Sequence, residues 1–215
     1  MKTILKLKLS LFLVAIIMSF FVSCSNENNA NSFDSSNKIK ENLINYIAKR
    51  DKIFTEIDLE LNRNEKFKFD SNIISLLNSS DTEKKFTEVI LNSNIKNSNL
   101  ILALLKESVY NENEFRTNNP MFYKLSIEDR TSYLNNSIDL HLKTKEISLA
   151  NKITSCAGDY NTDIGRCNRD ALISSSASII AAGAGILPGL IAAAYTMISH
   201  HNCVSDAKED YQSCL

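Results

Sequence analysis

The sequence predicts an all-α protein: a helical bundle followed by a C-terminal antiparallel helical hairpin that two disulfides staple. Three observations predict it. All five glycines lie between positions 158 and 189, and the only proline before them is Pro120. The stretch 24–157 therefore lacks the turn residues that a β-rich domain of that length needs. Apolar residues in it recur at helical spacing. The four cysteines beyond residue 150 stand in a mirror relation that suits two antiparallel helices.

Composition bounds the rest. The chain has 215 residues, 44% of them hydrophobic and 23% charged. That is enough apolar material for a buried core and argues against wholesale disorder. A formal net charge of −1 gives no drive toward nucleic acid, and no basic surface is interleaved with an aromatic platform.

Residues 1–23 read as a secretory signal. Lys2, Lys6 and Lys8 form a positive start, and 9–22 is almost unbroken apolar sequence, LSLFLVAIIMSFFV. This run is shorter than the ~20 residues a membrane-spanning helix needs. Ser23 and Cys24 stand at its end. Phe21-Val22-Ser23-Cys24 resembles a bacterial lipoprotein signal, in which a small residue precedes a cysteine that is lipidated and becomes the new N-terminus. The resemblance implies lipidation at Cys24 with three acyl chains, and hence firm membrane attachment, since one chain alone holds only marginally. Ser25, rather than an aspartate, implies the outer membrane by the same analogy. Cleavage removes three lysines and no acid, so the lipid rather than charge makes the membrane contact.

Residues 24–37 carry the lipidated cysteine and a polar run without a packing pattern, expected to be a flexible tether. Residues 38–150 form the expected bundle. In 38–62, Ile39, Leu43, Ile47, Phe54, Ile57 and Leu61 share a helical face. A short turn of helix is expected near 72–78. Ser80-Asp81-Thr82-Glu83 has the form of a capping box ahead of Phe86, Val89 and Ile90. Asn97 or Ser98 starts the next helix, whose face holds Ile101, Leu104, Leu105 and Val109. Thr117-Asn118-Asn119-Pro120 is the clearest loop. Ser126 then caps a long helix with Leu134, Ile138, His141, Leu142 and Leu149 on one face. His141 is expected to be a core histidine bonded to a neighbour rather than a ligand.

Residues 151–215 are the hairpin. Ten residues separate Cys156 from Cys167, thirty-five separate Cys167 from Cys203, and ten separate Cys203 from Cys214, so both the outer and the inner pair are centred on Gly185. Eleven positions make about three helical turns, which puts each local pair on one face but ~16 Å apart along the axis. That exceeds the ~7 Å Cα separation a disulfide tolerates. Folding back near Gly185 instead pairs Cys156 with Cys214 and Cys167 with Cys203. Gly183 and Gly185 are placed to end one helix, and Pro188 to open the next. Tyr160 and Tyr211 are expected to meet across the hairpin. An exported chain can keep such bridges.

The run 171–205, which starts after Cys167 and takes in Cys203, carries no charged residue, and Ala177, Ala181, Gly185, Gly189 and Ala193 recur every fourth position. Such small-residue spacing serves close packing, including in membranes. Arms of about 14 residues reach only ~21 Å, too little to cross a ~30 Å hydrocarbon core. A hairpin packed against the bundle is therefore expected. The competing arrangement, a membrane-active or toxin-like protein, inserts 177–198 into a bilayer and makes Ala181, Gly185, Gly189 and Ala193 its contact residues.

No catalytic pattern stands out. His200, His201 and Cys203 lack a second ligand cluster, and Cys203 has its use in a disulfide, so no metal is expected. No cofactor is expected either. The expectation is a lipid-anchored cell-envelope protein that is not an enzyme, with a binding or structural role toward an unidentified protein partner.

Overall fold

The computed structural model describes residues 27–63, 69, 71–146, 155–180 and 185–215. The chain divides into two compact units, 1–40 and 41–215. The described part of the first, 27–40, is helical.

Among the described residues, seven α-helices follow one another: α1 (Glu27–Asn62), α2 (Ser71–Asn78), α3 (Glu83–Leu91), α4 (Ser98–Asn118), α5 (Ile127–Glu146), α6 (Ser155–Ile180) and α7 (Ile186–Cys214), with a 3₁₀ turn at Phe122–Lys124. Among the described residues there is no strand. The fold is all-α with a stapled C-terminal hairpin, α6 and α7. Helix α1 begins at Glu27, so 27–37 of the expected tether is helix. No Gly or Pro interrupts this polar run, and extending a nucleated helix costs little per residue.

The helical faces are filled as their spacing predicts. Leu43, Ile47, Phe54, Ile57 and Leu61 of α1 are buried, as are Leu134 and Ile138 of α5. Leu149 lies outside the described residues. A core of the second unit is made by the C-terminal half of α1, by α2, α3 and α4, and by Leu190, Ala193, Ala194, Met197 and Ile198 of α7. Helix α7 thus shares its apolar interior with α1, α2, α3 and α4. Phe122 is fully buried and meets Phe115 edge-on at 5.3 Å, so the 3₁₀ turn is anchored against α4.

The caps refine the expected boundaries. Thr82, not Ser80, caps α3: its hydroxyl accepts from Lys85 N at 3.2 Å. The Ser80 hydroxyl is already spent on the Leu76 carbonyl at the end of α2, 2.9 Å away. Asn97 precedes α4 without capping it, because its amide reaches across to Glu60 at 2.5 Å. Ser126 does cap α5. It accepts from Asp129 N at 3.0 Å and donates to the Asp129 carboxylate at 2.9 Å, a reciprocal cap. The expected loop at 117–120 is shorter than its sequence suggests: α4 continues through Asn118, and the Asn119 amide donates to the Phe115 carbonyl at 2.8 Å. Gly185 is the N-cap of α7 with ordinary extended geometry (φ −76, ψ 178) rather than a left-handed terminator of α6. Pro188 sits in the first turn of α7, where a missing N–H costs nothing.

Candidate functional site

The hairpin is tied at its open end. Cys156 pairs with Cys214 at a Cα separation of 6.0 Å, and Cys167 with Cys203 at 5.7 Å, in nested order. Tyr160 and Tyr211 meet across the same end, ring centroids 5.1 Å apart. Such bridges form and persist in an oxidising compartment, so the folded chain is extracytoplasmic.

The C-terminal end of α6 is held differently, by three arginines from three other elements. Arg50 of α1 donates to the carbonyls of Ser108, at 2.9 Å, and Ser175. Arg116 of α4 donates to the Ser178 carbonyl. Arg130 of α5 donates to the Ile180 carbonyl at 2.6 Å. The last carbonyls of a helix, here including Ser178 and Ile180, have no partner within it and carry the negative end of its dipole, so cations are the fitting partners; Ser175 lies one turn earlier. Glu112 of α4 sits among them, 3% exposed. Its carboxylate takes Arg116 at 2.8 Å and the Ser178 hydroxyl at 2.6 Å, and lies 3.9 Å from Arg50. Tyr46 and Tyr123 line the cluster, Tyr46 beside Arg50 and Tyr123 within 6 Å of both Arg116 and Arg130. Burial pushes both phenols up to about 12, so they stay protonated.

The histidines are structural. His141 Nε2 meets Asp51 Oδ2 at 2.9 Å, and Lys145 pairs with the same carboxylate. His200 Nε2 meets Asn168 Oδ1 at 2.9 Å, linking α7 to α6. Burial holds His200 below the usual imidazole range, against the pull of Asp58 and Asp51 and with the push of neighbouring His201. His201 faces Asp58 at 3.8 Å and packs edge-on against Phe69. Among the described residues, no group of three His, Cys, Asp or Glu side chains is arranged to hold a metal.

The candidate insertion residues are distributed unevenly. Gly189 and Ala193 are buried in the core of the second unit. A Cβ on Gly189 would come within 3.3 Å of Val109, so the glycine is what allows α7 to approach α4. Gly185 and Ile186 are exposed at the turn. Cys24 and Ala181 lie outside the described residues, as does Gly183. No helix among the described residues is long and apolar enough to cross a membrane.

A cleft of about 450 Å³ lies between α2 and α3. Phe69, Ile73, Leu76 and Val89 supply apolar lining, and Asn72, Asn92, Asn94, Ser79, Lys85 and Glu88 are among its polar residues. Its size and mixed lining fit a small-ligand pocket. Lys85 is already engaged with Asp81 at 2.8 Å, which holds the Asp81 carboxyl below the usual carboxylate range.

The sequence reading missed the arginine cluster, although a signal for it exists. Arg50 falls at the alternating four-and-three spacing of the α1 stripe 43, 47, 50, 54, 57, 61, and Glu112 at the same spacing in 101, 105, 108, 112, 115 of α4. A charge on an apolar stripe must find a buried partner, because an unpaired one is too costly to bury. No family model, curated protein or solved structure matches the chain.

Proposed function

We propose that this chain is an outer-membrane lipoprotein, anchored through Cys24, that works by binding rather than by catalysis. The α2–α3 cleft carries the reading: a cavity of about 450 Å³ with apolar and amide or hydroxyl lining suits a small ligand or the side chains of a partner protein. The stapled hairpin supports it as scaffold, since α7 supplies buried residues to the same core as α2 and α3. The Ser23-Cys24 pair is what supports the anchor.

Native mass spectrometry of the full chain purified from envelopes tests this. A stoichiometric bound species is expected with the wild type and is absent with Leu76→Arg. Leu76 is 52% exposed and lines the cleft, so the variant blocks it without cavitating the core. Retention of the species by Leu76→Arg, or no bound species at all, refutes the cleft as the site. The second reading, membrane insertion of 177–198, draws on the exposed turn residue Ile186 and the uncharged run around it. Dye release from anionic phospholipid vesicles that is abolished by Ile186→Asp would transfer the function to that reading.

A further inference from the structure

A second concave surface, separate from the α2–α3 cleft, runs along the seam between α1 and α4. We propose that it binds a neutral oligosaccharide. The seam has two lobes, of about 140 Å³ and about 350 Å³, which share Lys49, Asn111 and Glu114. From Asn42 to Glu56 it follows α1 for about 21 Å, room for several linked sugar rings.

The smaller lobe is dominated by amides: Asn42, Asn45, Asn111, Asn118 and Asn119 make up five of its nine lining residues. Asparagine is a poor residue inside helices, and four of these five lie within α1 or α4. A side-chain amide offers two donor hydrogens and an acceptor oxygen a short distance apart, which matches adjacent hydroxyls that both donate and accept. Three of the amides are already fixed in place. Asn42 donates to Asn119 Oδ1 at 2.6 Å, Asn119 to the Phe115 carbonyl at 2.8 Å, and Asn111 to the Tyr46 carbonyl at 3.2 Å. Each bond uses only part of the amide's capacity. Asn111 and Asn119 are buried and form the floor of the lobe, while Asn42 is partly open and Asn45 and Asn118 are exposed, so the open amides stand on a fixed polar base, and such preorganisation favours affinity.

The larger lobe adds an aromatic face. Tyr110 is 70% exposed on it, a flat apolar surface against which the C–H face of a sugar ring can stack. The charges in the seam largely cancel. Lys49 pairs with Glu114 at 2.8 Å, and Lys52 lies 3.9 Å from Glu56, leaving Glu107 as the remaining charged lining residue. A seam with this balance repels an anionic ligand weakly and gives a cationic one little to hold. A polyhydroxylated neutral ligand meets amides, an aromatic face and compensated charges together.

The test uses the purified full-length chain with chitotetraose, maltotetraose and mannotetraose as probes and tetragalacturonate as the anionic comparison, followed by saturation-transfer NMR and titration calorimetry. At least one neutral tetrasaccharide is expected to bind. The affinity is expected to fall about tenfold or more in Asn45→Ala/Asn118→Ala and in Tyr110→Ala. All three side chains are exposed, so both variants should keep the wild-type thermal midpoint. The proposal is overturned if none of the neutral probes binds at millimolar concentration, if binding survives both variants, or if tetragalacturonate binds more tightly than every neutral probe. None of these outcomes bears on the α2–α3 cleft, because the two surfaces share no lining residue.

Discussion

Removing the bridges one at a time measures how the hairpin is tied. The inner bridge closes 36 residues, which restrains the unfolded chain by about 3.8 kcal/mol in the chain-entropy account. The outer bridge spans 58 residues, worth about 4.2 kcal/mol when it acts alone. Nesting changes the sum. With the inner loop already closed, the outer bridge closes only the remaining ~22 residues and adds about 3.4 kcal/mol. Together they contribute about 7.2 kcal/mol. Cys156→Ser/Cys214→Ser therefore loses about 3.4 kcal/mol, a fall in thermal midpoint of about 7–14 °C for a chain of this size. Cys167→Ala/Cys203→Ala leaves the outer loop standing and loses about 3.0 kcal/mol, or about 6–12 °C. The double removal exceeds the sum of the single removals by about 0.8 kcal/mol, a coupling that two independent local loops would not show. Urea and thermal unfolding of the four proteins supply the measurements, with non-reducing peptide mapping of the wild type beside them. A midpoint shift of less than 2 °C on removing the outer pair would refute this reasoning, as would peptides joining Cys156 to Cys167.

Three further outcomes follow from the interior. Glu112→Gln leaves the buried Arg50 and the partly buried Arg116 without their counter-charge and is expected to cost about 3–5 kcal/mol in urea unfolding; a loss below 1 kcal/mol would mean that the helix carbonyls alone compensate the arginines. Gly189→Leu forces a side chain into Val109 and is expected to cost about 1–3 kcal/mol, partly recovered by adding Val109→Ala; equal stabilities with and without that second change would count against the contact. His200 gives the pH dependence. Because burial lowers its pKa, the folded chain keeps it neutral while the unfolded chain takes up a proton near pH 6.5, so stability is full above that pH and declines below it. The thermal midpoint should fall between pH 7.5 and pH 5, and His200→Gln should flatten that decline; an unchanged slope in the variant would assign the dependence elsewhere.

The local facts of the fold were legible because they depend on residues close in sequence. Spacing along α1 and α5 marked the faces that are buried, and the absence of glycine and a nearly complete absence of proline before residue 158 left helices as the economical arrangement. Boundaries were less legible. Ser80 and Asn97 are good capping residues by type, yet each spends its side chain on a different helix, the one on Leu76 and the other on Glu60.

By itself, the sequence determined the helical class and the nested order of the bridges, because helical rise and covalent reach are the same in any surroundings. Tertiary structure decided what the apolar stripes would meet. Periodicity names the face a residue occupies but not its partner, and the Arg50 guanidinium finds the Ser175 carbonyl 125 residues away. The same holds for the small-residue stripe. Its spacing serves a bilayer or a bundle equally well, and only the approach of Val109 to Gly189 assigns that glycine to the protein's own core, since close packing responds to whichever surface the fold brings near.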